Sequence, residues 1–233
     1  MSSRSCYLRQ VKISVVIPTL NEGETIQAAI QSATAADVEI LVVDGGSGDG
    51  TRETAEALGV TLLDGRPGRA GQLEHGFRHA SGQACVFLHA DTRLPTRWTA
   101  AVRGALEDPE VAGGAFRFGF ERPVSLSLRV VELGARLRVA VLGLPYGDQA
   151  IFARRQVLDS IGGVPRVCLF EDLDLIRGIR SRGRLAQLSQ VAFTSARRHR
   201  AEGVIRTALR HAVALLGWYL DLDRDRLRAW VQR

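Results

Sequence analysis

At 233 residues, 45% of them hydrophobic and 24% charged, the chain is too apolar for wholesale disorder and long enough for one core with a small appendage. Its three cysteines, Cys6, Cys85 and Cys168, are odd in number, far apart and without a C-x-x-C pair. This argues against a disulfide framework or a cysteine zinc site, and a reducing, cytoplasmic setting is expected. The net charge of +6 is uneven: residues 1–117 carry 11 basic and 14 acidic side chains, residues 118–233 carry 20 and 11, and 30 of the 31 basic residues are arginine. A basic second half suits diphosphates, anionic lipid or nucleic acid, and charge alone does not choose among them. Aromatics are only 6% and no stacking platform is visible, so nucleic acid is not an expected partner. Met1 to Val11 has no apolar h-region, and no run of about 18 uncharged apolar residues follows, so neither a signal peptide nor a spanning helix is expected.

In chain order, Ile13 to Ile17 is a β-branched run closed by Pro18, as a buried strand would be. A helix over Glu24–Ala36, a strand over Ile40–Val43, a helix over Thr51–Leu58 and a strand over Val60–Leu63 follow. Arg69–Ala80 reads as a helix and Cys85–Leu88 as a fourth strand. This alternation predicts β-α-β units and a parallel sheet, whose ligands bind at the carboxyl ends of the strands. Those ends carry Thr19-Leu20-Asn21-Glu22, Asp44 and His89-Ala90-Asp91, so the first ninety residues read as a nucleotide-binding half. The second half is less regular. Val111–Phe120 suggests a glycine-bearing strand, Leu126–Leu142 a basic amphipathic helix, Tyr146–Gln149 a turn and Ala150–Ala153 a short strand. Phe170-Glu171-Asp172 opens a helix running to Arg182, and Val204–Leu220 is an apolar helix bearing Arg206, Arg210 and His211.

The stretch Val42 to Thr51 (VVDGGSGDGT) carries the most information. Asp44 at a strand end can accept a hydrogen bond from a uracil edge or a ribose hydroxyl, and the glycines let the chain turn beside a ligand. A β-α turn with Asp49 or Thr51 capping the next helix is the structural alternative. Glu171 and Asp172 likewise suit either a catalytic acid pair or an acidic first turn that favours its own helix dipole.

Pro18-Thr19-Leu20-Asn21-Glu22 followed by Val43 to Thr51 resembles the opening of the family 2 glycosyltransferases, and the likeness runs from about Ile13 to Leu220. The resemblance implies a GT-A fold: one α/β domain with a mostly parallel, Rossmann-like sheet flanked by helices, an acceptor-side half and C-terminal helices. Its expected boundaries are 12–220 for the domain (12–92 nucleotide-binding, 93–200 acceptor and catalytic), with 201–233 as a helical extension. It implies that Pro18, Thr19, Glu22, Asp44 and Gly46 line the nucleotide, and that Arg69 in Arg66–Gln72 forks onto phosphate or base oxygens, a solvated arginine at a helix start being the alternative.

Leu88-His89-Ala90-Asp91-Thr92 resembles the family's D-x-D triplet, with His89 in place of the first Asp. Asp91 is then the ligand of a Mg²⁺ or Mn²⁺ cofactor that neutralises the leaving diphosphate, while His89 is open between metal and ribose. Asp172 matches the base of the family's E-D pair, with Glu171 beside it, and would take the acceptor hydroxyl's proton. Asp148 lies where the family places donor-sugar or acceptor contacts, turn formation being the alternative. Arg197, Arg198 and His199 are late candidates for the diphosphate and metal, a solvated basic turn being the alternative.

Tyr146–Gln149, Glu171-Asp172 and Thr194–Arg198 together resemble a bacterial subgroup, the selenodomain-associated and arsenosugar-biosynthesis transferases. The implied activity is inverting sugar transfer from a nucleoside-diphosphate donor, UDP-sugars favoured, to a small-molecule or lipid-linked hydroxyl. A nucleotidyltransferase would carry a G-x-G-T-R-type loop where Pro18–Glu22 stands, and a non-catalytic nucleotide-sugar module is the other alternative. The helices at Leu126–Leu142 and Val204–Leu220 leave open packing on the sheet, a homodimer, or peripheral membrane contact.

Overall fold

The computed structural model describes residues 11–231, apart from the side chains at positions 198, 202 and 205. The expectation for Met1–Val11 therefore falls almost wholly outside the described residues, as does Cys6. Among the described residues one eight-stranded sheet runs through the molecule. Its strands are β1 (Ile13–Thr19), β2 (Val38–Asp44), β3 (Thr61–Asp64), β4 (Ala84–Phe87), β5 (Thr92–Arg93), β6 (Val111–Phe120), β7 (Ile151–Arg154) and β8 (Arg184–Thr194), in the order β3-β2-β1-β4-β7-β6-β8-β5. Pairing is parallel within β3-β2-β1-β4 and between β6 and β8, and antiparallel where β7 joins β4 to β6 and where β5 caps β8. This is the mostly parallel α/β sheet that the GT-A resemblance implies.

Ten helices accompany the sheet among the described residues: α1 (Ile26–Ala33), α2 (Thr51–Ala57), α3 (Arg69–His79), α4 (Trp98–Ala105), α5 (Leu126–Leu142), α6 (Arg155–Ser160), α7 (Glu171–Arg180), α8 (Arg197–Glu202), α9 (Val204–Tyr219) and α10 (Arg224–Val231). Strand alternation sorts the core into two layers. Ile13, Val15 and Ile17 of β1 and Ile40 and Val42 of β2 face α1, α2 and α4. Val16, Leu41 and Val43 face the other way, toward α3, α6, α7 and α9. Each fully buried aliphatic side chain is worth about 1.5–3 kcal/mol, so β1, buried along its whole length, anchors the sheet. Helix α3 lies close enough to β1 that a Cβ on Gly76 would collide with Val16, and glycine is what permits the approach.

The first helix is shorter than the expected Glu24–Ala36, and α7 stops at Arg180 rather than Arg182. The short strand expected at Ala150–Ala153 starts one residue later, because Ala150 sits in the left-handed region at φ 46°. Residues 197–200, for which a basic turn is the alternative reading, are helical, as α8. Strand β8 is absent from the elements expected of the sequence. Its pairing with β6 shifts register twice, between Val111 and Gly113 and between Ala115 and Arg117, and such bulges erase the two-residue alternation by which a strand is read. No helix among the described residues is long and apolar enough to cross a membrane.

Candidate active site

The carboxyl ends of β1, β2 and β4 lie on one edge of the sheet. Because β7 is antiparallel to β4, with Phe87 opposite Ile151, the turn just before β7 emerges on that same edge. Thr194, at the end of β8, is there too: its hydroxyl bonds Thr92 at 2.9 Å and donates to the Asp148 carbonyl at 3.3 Å, and the neighbouring Ser195 N–H donates to the Asp91 carbonyl at 2.9 Å. Segments distant in sequence thus converge, and the predicted residues fall into two groups.

The first group is a pair of interlocked loops after β1 and β2. Thr19 pairs with Asp44 across the sheet, and Pro18 with Val43. Asn21, in the left-handed conformation that asparagine tolerates (φ 56°), takes the Gly48 N–H at 3.0 Å and gives its own N–H to Ser47 at 2.8 Å. Glu22 N–H donates to Thr51 Oγ1 at 2.9 Å and Gly23 N–H to Asp49 Oδ2 at 3.0 Å. Asp49 also takes the Thr51 N–H at 3.2 Å, the first of the helix, although the capping position itself is held by Gly50, which makes no side-chain cap bond.

Asp44, 1% exposed, accepts from the N–H groups of Gly46 and Ser47 at 3.0 Å each, from the hydroxyls of Ser47 and Thr19, and from Arg52. Burial works against its ionisation, but these donors hold its carboxyl below the usual range. A carboxylate offers about four acceptor sites, so a nucleotide reaching Asp44 must displace a donor. Arg52, half-buried and shared with the exposed Asp64, is the long, flexible side chain among them. Gln72 completes the frame from α3, donating to the Thr19 and Val43 carbonyls at 2.7 and 2.8 Å. It lies inside the Arg66–Gln72 segment, yet nothing in its residue type marks it as a brace.

The second group is acidic and buried. Glu171 and Asp172 open α7, preceded by Phe170 at φ 60°. A non-glycine residue in this region is costly and aims the first helical turn at the site. Asp172 Oδ2 accepts the Gly147 N–H at 2.7 Å and Oδ1 accepts its neighbour Leu173 N–H at 2.9 Å. Burial and the Glu171 charge raise the Asp172 carboxyl, against the pull of Arg69 and these two N–H groups.

Arg69, expected on phosphate, donates through Nε to Glu171. Burial favours its neutral form, but Glu171, Asp172 and Asp148 outweigh that and hold the guanidinium charged. Asp148 lies in the short 3-10 turn Gly147–Gln149, and its Oδ1 is buried without a hydrogen-bond partner. Its carboxyl is pushed up to about 6 by burial, an effect that Arg138 opposes and that Asp172 and Asp91 reinforce. Gly147 leaves room for the His89 ring, whose Nε2 lies 2.5 Å from where a Cβ at 147 would sit.

His89, Asp91, Asp148, Glu171, Asp172 and Arg69 are therefore brought together by contact or by charge. Glu22 and Arg197 are linked to the loops, Arg197 bonding Glu22 at 2.7 Å and Glu24 at 3.0 Å. His199 packs its ring 4.9 Å from Phe120 and 6.4 Å from His211, and the side chain of Arg198 lies outside the described residues. A cleft of about 220 Å³ contains Asp91 with Glu24, Thr25, Arg93 and Glu121. A larger one, about 450 Å³, lies between the end of α5 and strands β6 and β8 and is lined by none of the candidate residues. Arg138 on α5 carries no signal in the sequence. It stacks 3.3 Å above the Tyr146 ring and bonds Gln149 at 3.2 Å, so it braces the turn that carries Asp148.

The glycosyl transferase family 2 model matches residues 14–156. Glycosyltransferase AglE of Haloferax volcanii is 33% identical over 98 residues, covering 37% of this chain and 32% of that protein. An undecaprenyl-phosphate 4-deoxy-4-formamido-L-arabinose transferase of Enterobacter sp. is 36% identical over 98 residues, covering 36% and 30%. These matches thus span about a third of the relatives' length. The crystal structure of glucosyl-3-phosphoglycerate synthase from Mycobacterium tuberculosis, in complex with Mn²⁺, UDP and glucosyl-3-phosphoglycerate, superposes with a TM-score of 0.65 at 24% identity over 94% of this chain and 84% of that one. This last likeness carries the fold alone. With the family model matching more than half of its residues, the chain belongs to glycosyl transferase family 2.

Proposed function

We propose that the protein transfers a sugar from a nucleoside-diphosphate donor, UDP-sugars favoured, to an acceptor hydroxyl, with inversion and with Mg²⁺ or Mn²⁺ as cofactor. The observation that carries this reading is the buried acidic cluster on the carboxyl edge, where Asp148 holds a partnerless oxygen among the charges of Asp91 and Asp172. Hard oxygen donors in excess of their cationic partners fit a divalent cation. Among the described residues no three His, Cys, Asp or Glu side chains form a closed ligand set. An open site suits Mg²⁺ or Mn²⁺, which takes one or two carboxylates and completes its shell with water and phosphate. Asp91 would hold it, and His199, four residues beyond the Ser195 that bonds the Asp91 carbonyl, is the second candidate ligand. When bound, the cation supplies counter-charge to the leaving diphosphate.

The chain's own residues then divide the work. Asp172 takes the proton of the acceptor hydroxyl as its oxygen attacks the anomeric carbon. Glu171 anchors Arg69 beside it, and the guanidinium keeps positive charge near the diphosphate. Asp148 hydrogen-bonds a hydroxyl of the donor sugar. Pro18, Thr19, Glu22, Asp44 and Gly46 line base and ribose, His89 serves ribose or metal, and Arg197 and Arg198 are the candidates for the diphosphate. In this reading residues 12–92 bind the nucleotide, 93–200 bind the acceptor and catalyse, and 201–233 form an extension.

The acceptor is a small molecule or a lipid-linked group. The undecaprenyl-phosphate relative supports the lipid-linked class, and the UDP and Mn²⁺ of the structural neighbour support the donor and cofactor. The subgroup resembling selenodomain-associated and arsenosugar-biosynthesis transferases rests on Tyr146–Gln149, Glu171-Asp172 and Thr194–Arg198. Thermal-shift titration with UDP-, GDP- and dTDP-sugars, with and without Mn²⁺, tests the proposal. At least one donor should stabilise the protein in a metal-dependent way, and no response to any of them overturns it.

A further inference from the structure

Helix α5 keeps an apolar stripe in solvent. Leu126, Val130, Leu133, Leu137 and Val141 recur at spacings of three and four, and the first and last are 79% and 78% exposed. Helix α9 packs beside α5 and repeats the pattern with Leu209, Val213 and Leu216, and Leu220 just past its end. The inner sides of the pair are spent: Leu128 and Ala135 of α5 meet Phe118 and Phe120, and Ala214 and Trp218 of α9 lie among residues of α7. The outward stripes are thus additional to the core, and two contiguous ones exceed the scattered apolar exposure of an ordinary surface.

The exposed charges on the two helices are of one sign, and acids, Asp221 and Asp223, come only after α9 has ended. Arg129, Arg136 and Arg206 are exposed. The single acid of α5, Glu132, is buried, taking the Phe120 N–H at 2.8 Å, with Arg122 at 3.8 Å, and α9 contains no acid. An apolar helix face flanked by arginines matches an anionic lipid surface, where acyl chains take the leucines and headgroups the guanidinium groups. A second copy of this chain fits less well. A two-fold interface sets a patch against itself and would bring arginines toward arginines.

We propose that α5 and α9 dock the protein onto an anionic bilayer, lying in its interface rather than crossing it. The consequence for the active site follows from connectivity. Helix α5 ends at Leu142, five residues before Gly147, and its inward Arg138 holds Tyr146 and Gln149 around Asp148. The docking helix therefore also braces the catalytic turn, so a membrane-borne acceptor would be met beside the site. That consequence rests on the proposed transferase reading, whereas docking itself does not.

Flotation of the full chain with phosphatidylcholine vesicles, with and without phosphatidylglycerol, tests the docking. The wild type should float with the anionic vesicles about tenfold more than with the neutral ones. The double variant Leu133→Gln, Leu137→Gln should lose about tenfold of that binding at unchanged Tm and unchanged nucleotide-sugar binding, since both side chains are already in water. Arg129→Glu with Arg136→Glu should abolish the preference for anionic lipid. Absence of flotation with either vesicle, binding insensitive to the leucine substitutions, or a solution dimer dispersed by those substitutions would each overturn the proposal. Donor binding is read separately by thermal shift, so failure here and failure of the transferase reading are distinguishable.

Discussion

The loops after β1 and β2 and the turn before β7 lie on one edge of the same sheet, yet they settle their buried carboxylates in opposite ways. Asp44 is surrounded by five donors from its own loops and from Arg52, and its charge is stabilised without help from a ligand. Asp148 is less deeply buried as a residue, but its buried Oδ1 has no partner, and burial among neighbouring acids pushes its carboxyl up to about 6. The first arrangement is a preformed frame. The second is an electrostatic imbalance, which costs stability and which a ligand of opposite charge relieves. Where a fold leaves such an imbalance is where its chemistry is expected, and each prediction below acts on one side of this contrast.

The largest effect should come from Asp172→Asn. It removes the proposed base while keeping one of the two oxygens that accept the Gly147 and Leu173 N–H groups, so kcat should fall by about 10²–10⁴-fold with donor affinity retained. Steady-state kinetics beside donor titration decides it, and full turnover would remove Asp172 from the mechanism. Gly147→Ala comes next. Its Cβ would land 2.5 Å from His89 Nε2, and overpacking of this kind costs about 1–3 kcal/mol. Because the imidazole is the obstacle, combining it with His89→Ala should cost less than the two changes added together, as a double-mutant cycle in urea would read.

How much of this is legible in the sequence follows the same division. The strands of the first half are continuous apolar runs punctuated by Pro18 and Gly45-Gly46, and Asp44 takes N–H groups two and three positions on, so the fold and that part of the frame can be read. The acidic pair Glu171-Asp172 and the turn at Asp148 are visible as motifs. That Arg69 bonds Glu171, 102 residues distant, is not visible, because nothing local encodes that encounter. Arg138 looks like one more arginine on an amphipathic helix, and only the path of the chain after Leu142 turns it back onto Tyr146. Strand β8 is hidden by its two bulges, and with it the contacts through which Thr194 and Ser195 tie the Asp91 and Asp148 segments together.

The remaining predictions probe the contrast more gently. A carboxyl near 3.8 in the unfolded chain and near 6 in the folded one makes the metal-free protein bind the proton more tightly when folded. Stability contributed by protonated Asp148 is therefore present at about pH 4, is lost as pH rises toward the folded value, and changes no further above it. An asparagine at this position has no such titration. The stability of Asp148→Asn relative to wild type should thus increase by up to about 3 kcal/mol between about pH 4 and about pH 7, read as paired urea melts. A flat difference would mean that Asp148 is not strained. The smallest effect is expected on the satisfied side, from Arg52→Ala. Asp44 keeps its two N–H and two hydroxyl donors, so stability should change little, while a base N–H that reaches Oδ2 meets one competing donor fewer. Uridine nucleotides should then bind about two- to threefold more tightly by calorimetry, the gain expected when a competing donor is removed. A tenfold loss instead would make Arg52 a ligand contact and Asp44 its support.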